Sequence, residues 1–328
     1  MELLSLPKHL QLDIFSNVDW KGIINVKLVC KELNILIEEN IHRLQRPKLY
    51  FIDIDYGRQI NNSSEEIIVT YTIYKDEQEN GMNHNPRRGT KKIFFSNLNS
   101  YEDFLKKNDF SRLNQLCFDI DKNTEVVRLF NNYFNGGEHL KDVNFYDYGG
   151  EERRDANDVL EFIHKTRNTE YMSLVLSFPD QEIPKNFVFP VMNSLNRLYI
   201  EEKNGTKFMT KEIMRGIINN SGDNFALAIS FQNEDIYSDV AGYFIRKVST
   251  SMDNKCIGES ATPRVIFYVT KPLTFGDVQF FRSLFERYYF IFNHTFFSNT
   301  EHEFTGHKEC HWCGSYHAVK FYFDSFFD

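Results

Sequence analysis

The chain has no apolar run near the roughly 18 residues that a helix needs to cross a bilayer, which argues against a membrane protein. Cysteine is scarce. Five residues, an odd number, stand at Cys30, Cys117, Cys256, Cys310 and Cys313, and only the last two are close together, so reduced thiols are expected rather than a disulfide framework. Basic charge is also in deficit. Lys and Arg number 38 against 46 Asp and Glu, and a net charge of −8 without a basic face argues against nucleic acid as the main partner. No GxSxG, no phosphate-cradling glycine loop and no HExxH occurs, so the usual motifs of acyl transfer, phosphoryl transfer and zinc proteolysis are missing. The segment MELLSLPKHL has no basic stretch ahead of its leucines and is broken by Pro7. A secretory leader is therefore not expected, a cytoplasmic or nuclear location is, and the sequons at Asn62, Asn204 and Asn293 should carry no glycan.

What is present is a core-forming composition, 41% hydrophobic and 26% charged in 328 residues, enough for one large domain with a small module. Residues 1–46 read as that module: three short helices with six basic and six acidic residues in balance. Pro7 is tolerated in a first turn. Leu10, Ile14 and Val18 form one stripe, and Leu12 and Phe15 another. Asp19 is placed to cap a second helix bearing Ile23, Ile24, Val26, Leu28 and Val29. The third is expected through KELNILIEENIHRLQ, with Leu33, Ile37, Ile41 and Leu44 as its stripe, until Pro47 stops it. Three helices this short have a small interior. Leu12, Phe15, Leu36 and part of the second helix are left over once one inner face is filled, and such a surplus is either docked on the rest of the chain or kept for a partner.

From residue 47 to 328 the pattern is α/β. KLYFIDIDY, EEIIVTYTIY and KKIFFSN alternate as three strands of a meander. The loop around residues 75–90 between them carries Arg87 and Arg88 near Lys91 and Lys92, either a solvated loop or an import signal. LNQLCFDI, LKDVNFYDY, YMSLVLSF, LNRLYIEE and FALAISF then recur as short strands. Aligned on Leu116, Val143, Leu174, Leu198 and Leu227, they are mostly separated by amphipathic segments, with Asp155 and Thr210 as N-caps. Pro179, Pro184 and Pro190 make the third gap a loop. Units of this period suggest irregular leucine-rich-repeat-like strand–helix units, with a doubly wound sheet as the rival. PRVIFYVT, DVQFFRSLFERYYFIF and AVKFYFDSF should add a closing strand–helix–strand unit.

Three places could hold chemistry. Asp53 and Asp55 in YFIDIDYG resemble the aspartate pair of haloacid-dehalogenase phosphatases, with an echo at Asp119 and Asp121, yet no later acidic segment completes a magnesium site. His307, Cys310, Cys313 and His317 in GHKECHWCGSYH, with His302 and His311 nearby, are a ligand set for zinc, or ordinary side chains of a terminal loop. Arg153 and Arg154 could receive a phosphate. Gly136, Gly137, Gly149 and Gly150 are explained by turns. No cofactor is expected.

Residues 6–37, LPKHLQLDIFSNVDWKGIINVKLVCKELNILI, resemble the F-box. Leu6, Pro7, Ile14, Phe15, Asp19, Val29, Cys30, Leu36 and Ile37 fall in order on the family's positions, while His9 and Leu33 depart from its usual acidic residue and tryptophan. The resemblance implies binding of the adaptor Skp1 and, through it, a cullin-based ubiquitin ligase, with this chain as a non-catalytic substrate receptor. It implies contacts at Leu6, Pro7, Leu10, Ile14, Phe15, Val18, Val29, Cys30 and Leu36. The remainder is similar in texture to the divergent recognition regions of lineage-expanded, nematode-type F-box proteins, with Phe118, Asp119, Phe145, Tyr146 and Tyr199 as candidate contacts to an unknown protein substrate. A scaffold acting outside a ligase, and the phosphatase, are the alternatives.

Overall fold

A computed structural model describes residues 3–57, 67–74, 89–136, 138–148, 155–184, 186–190, 194–222, 224–230, 236–257, 262–270, 272–298 and 300–325. Asn62, Arg87, Arg88, Gly137, Gly149, Gly150, Arg153 and Arg154 lie outside them. The chain divides into two compact units, Met1–Leu116 with Glu125–Leu140, and Cys117–Thr124 with Lys141–Asp328. Residues 1–46 are thus part of the first unit.

In the first unit, α1 (Lys8–Ser16), α2 (Trp20–Lys27) and α3 (Lys31–Glu39) follow a 3-10 turn at Leu3–Ser5. Asp19 caps α2 as expected, its carboxylate accepting the Gly22 N–H at 2.8 Å. The third helix is shorter than the sequence suggests. Asn40 leaves helical geometry and its side chain donates to the Leu36 carbonyl at 2.9 Å, so Ile41–Arg43 form a separate 3-10 turn. β1 (Leu49–Tyr56), β2 (Ile67–Ile73) and β3 (Lys91–Phe95) make the expected antiparallel meander. A helix not anticipated from the sequence follows, α4 (Leu98–Lys106), capped by Asn97 and burying Tyr101, Phe104 and Leu105 at helical spacing. β4 (Gln115–Ile120) crosses from the first unit into the second, and α5 (Glu125–Tyr133) returns to the first.

The second unit continues with β5 (Asp142–Asp147), α6 (Ala156–Lys165), β6 (Tyr171–Leu176), β7 (Arg197–Glu202), α7 (Lys211–Asn220), β8 (Ala226–Ser230), α8 (Ile236–Asn254), β9 (Arg264–Val269), α9 (Phe275–Arg287), β10 (Ile291–Phe296), β11 (Glu301–Glu309) and β12 (Tyr316–Ser325). Asp155 and Thr210 cap α6 and α7 as expected. β5 to β9 run parallel in sequential order, β12 adds parallel to β9, and β11 and β10 follow antiparallel. The register corrects the alignment of the repeat. Val143 pairs with Met172, and Met172 with Leu198, so Leu174 is two residues out of line.

Alternation along each strand sorts the two faces. Phe145, Leu174, Ile200, Ile229, Phe267 and Phe323 form one buried row, and Asn144, Ser173, Tyr199, Ala228, Ile266 and Tyr322 form a half-exposed row on the other side. Beyond Arg287 the chain departs from expectation. Tyr289, at φ 62°, turns it out of α9 and into β10, so YYFIF lies beyond the helix and β10 and β11 are additional strands. Gly306 of β11 lies beneath Phe285, whose ring occupies the place a β-carbon would need.

β7 ends on Glu202, which is buried, and its Oε1 accepts the Met209 N–H at 2.6 Å. Burial pushes its carboxyl up to about 7, against the pull of the Met209 and Phe208 amides. A folded pKa above the unfolded one means that Glu202's contribution is complete below the ordinary value of 4.5 and lost as pH rises through about 7. Glu202→Gln keeps an acceptor without the charge. It is expected to be more stable than the parent by roughly 2–3 kcal/mol at pH 8, with the gain gone near pH 4. Denaturant titrations at both pH values check this, and a gain independent of pH would refute it.

Candidate functional site

The helical module has a complete interior of its own. Leu12, Phe15, Ile23, Leu33, Leu36, Ile37 and Leu44 form one buried cluster, with Val18, Val26, Cys30 and Ile41 partly buried against it. A salt bridge and a hydrogen bond connect the module to the rest of its unit. Glu38 bonds Lys27 and lies 3.3 Å from Lys107 just beyond α4, while Arg46 donates to the Lys106 carbonyl at 3.1 Å. Burial raises the Glu38 carboxyl, but the bond from Lys27 and the charge of Lys107 outweigh it and hold it below the usual range.

Large apolar side chains remain outside that interior: Leu3, Leu4, Leu10, Ile14, Ile24, Leu28, Val29 and Ile35. Leu28 is 81% exposed, Val29 72% and Ile14 44%. Leu10 and Ile14 are one turn apart on α1, and Ile24 and Leu28 stand in the same relation at α2, so each pair shares a face. Single exposed apolar side chains are ordinary, whereas eight on so short a module are a surplus.

Of the nine expected contact residues, Pro7, Leu10, Ile14 and Val29 are exposed, Leu6, Val18 and Cys30 half-buried, and Phe15 and Leu36 buried. The sequence-based surplus of Leu12, Phe15 and Leu36 is corrected accordingly. A trio of short helices needs its only phenylalanine and its inward leucines for its own core, and the excess lies in Leu10, Ile14, Ile24, Leu28, Val29 and Ile35 instead.

On the second unit's half-open sheet face, a shallow cavity of about 290 Å³ is lined by Asn144, Ser173, Tyr199, Ala228 and Ile266. Tyr199 donates to Glu201 at 2.8 Å and meets Tyr268 edge-on at 6.0 Å, while Arg197 stacks over Tyr171. Burial, and then the bond to Glu201, raise the Tyr199 hydroxyl, which stays protonated. Asp119, Tyr146 and Tyr199 are half-exposed. Phe118 and Phe145 are not. Odd positions of β4 and even positions of β5 face outward, so both rings lie in the core, 5.9 Å apart.

At the turn between β11 and β12, Cys310, Cys313 and His317 converge with Cys256, and their ligand atoms all lie within 4.8 Å of one another. His307 is not among them. It pairs with Ala318, whereas His317 pairs with Lys308, so the two histidines point to opposite faces of the hairpin. His302 stacks on His294 instead, at 5.5 Å between ring centres. The Ser315 backbone amide, ahead of the neighbouring thiols, holds the Cys313 thiol below its ordinary range.

No family model matches the chain, and no curated protein matches it.

The remaining expectations find their places in strands. Asp53 and Asp55 lie within β1, in register with Thr70 and Ile68 of antiparallel β2. Among the described residues the group of three or more close metal-ligand side chains is the one at Cys256, which no local spacing rule could reach because it comes from the segment after α8.

Proposed function

We propose that this chain is a non-catalytic substrate receptor that binds a Skp1-like adaptor through residues 6–37 and presents a target protein to a cullin-based ubiquitin ligase. The observation that carries the reading is the apolar surplus of the helical module, on a segment whose sequence resembles the F-box. Leu10, Ile14, Ile24, Leu28 and Val29 face water although the module's own core is full, and covering them with a second polypeptide recovers the hydrophobic free energy they forgo. Phe15 and Leu36 then act from below, holding the helices that display those side chains.

The second unit supplies the recognition surface in this reading. Its sequential parallel strands form an irregular leucine-rich-repeat-like array, and the half-open row from Asn144 to Tyr322 is where a target docks. Tyr171 and Tyr199 beside Arg197 suit a mixed polar and apolar peptide surface.

Pull-down of the purified full chain with purified Skp1 tests the adaptor step. Ile14→Asp and Val29→Asp, at exposed positions, are expected to weaken binding by about 2 kcal/mol or more, roughly thirtyfold, with unchanged melting. Wild-type protein that leaves Skp1 in the supernatant, or variants that bind it equally well, would overturn the proposal.

A further inference from the structure

The topology of the second unit brings distant residues to one edge of its sheet. β9 and β12 are parallel neighbours, so both begin at that edge. The segment entering β9 carries Cys256, the turn entering β12 carries Cys310 and Cys313, and His317 is the second residue of β12. The turn is tightly fixed. The Cys310 N–H donates to the Ser315 carbonyl and the Gly314 N–H to the Cys310 carbonyl, both at 2.9 Å, and Gly314 at φ 71° supplies the left-handed step that closes the loop.

The spacing of the ligand atoms is the telling feature. His317 Nε2 lies 3.5 Å from Cys313 Sγ and 3.7 Å from Cys256 Sγ. Metal–sulfur and metal–nitrogen bonds of about 2.3 and 2.0–2.1 Å at tetrahedral angles place sulfur and nitrogen about 3.6 Å apart around a shared zinc. A neutral imidazole has one acceptor lone pair, so a hydrogen bond accounts for one of these thiols and not for both. His317 is itself buried, and its Nδ1 has no hydrogen-bond partner. With Nε2 on a metal, Nδ1 carries the ring proton.

We propose that Cys256, Cys310, Cys313 and His317 bind one zinc ion as a closed structural site. Three thiolates and an imidazole are the donor set that favours tetrahedral zinc, and four protein ligands leave no open position for a substrate or water. The ion ties the segment after α8 to the turn between β11 and β12, at the edge where β9 and β12 start.

Metal analysis of the purified full chain by plasma mass spectrometry is the test, with zinc as the probe. One equivalent of zinc per chain is expected, retained in His307→Ala and reduced at least tenfold in Cys256→Ser. Replacing zinc by cobalt should give the intense visible absorption of tetrahedral thiolate cobalt. If Cys256→Ser does not fold, the zinc content and cobalt spectrum of the wild type decide. A wild-type chain without zinc, a Cys310–Cys313 disulfide in its place, an octahedral cobalt spectrum, or zinc lost from His307→Ala and kept by Cys256→Ser would each overturn the assignment. Skp1 binding by the same preparations is read separately, so failure of the zinc site leaves the adaptor result standing.

Discussion

Phe15→Ala is expected to destabilise the helical module by about 3–5 kcal/mol, more than a module of this size is able to lose. The ring is 2% exposed and packs among Leu12, Ile23, Leu33, Leu36, Ile37 and Leu44, the whole interior of three short helices. Short helices owe most of their stability to such packing, so removing its largest member should release all three together. Hydrogen exchange followed by mass spectrometry checks this. Amides of α1, α2 and α3 should lose protection while those of β5 to β9 keep theirs, and Ile14→Asp should leave both sets unchanged. The pair of variants separates two ways of losing an adaptor: one dissolves the scaffold, the other spoils its surface. Protection preserved in Phe15→Ala would mean that the inward leucines alone sustain the module.

Phe321→Ala should have a comparable effect on the second unit. Its ring lies 5.2 Å from Phe281, 5.7 Å from Phe285, 5.9 Å from Phe244 and 6.1 Å from Phe267, between α8, α9 and the sheet. Those neighbours are ordered in turn by Phe304 and Phe323, and Phe285 by its close approach to Gly306, so the site has little freedom to collapse around a cavity. A loss of about 3–5 kcal/mol is expected, which lowers the melting temperature by roughly 10 °C in a unit of this size. Phe296→Ala, at a ring 59% exposed, should change melting by far less. Equal shifts for the two variants would refute the cluster's role.

The elements that could be read from sequence are those whose signals are local. β4, β5, β7 and β8 alternate cleanly, and α2, α6 and α7 begin at Asp19, Asp155 and Thr210, which accept the expected amides. α4 escaped because its stripe of Tyr101, Phe104 and Leu105 lies in a polar, lysine-rich setting. β10 escaped because YYFIF continues the apolar texture of α9, and only the backbone at Tyr289 announces the reversal. At the candidate sites the difficulty was one of counting and of distance. Periodicity named the apolar positions of the module but could not tell which side of each helix the small interior would claim, and it assigned Phe15 to the surplus. For the thiol cluster, spacing found Cys310, Cys313 and His317. It chose His307 as the fourth because the partner that replaces it, Cys256, is near only after β12 has inserted beside β9.

That insertion orders the birth of the second unit. Between β9 and its neighbour β12 the ribosome must still make α9, β10 and β11. Until Tyr316 and its successors emerge, β9 offers a bare hydrogen-bonding edge and Phe267 lacks the Phe321 and Phe323 rings that cover it. Nascent chains stalled before β12 therefore leave both that edge and that ring uncovered.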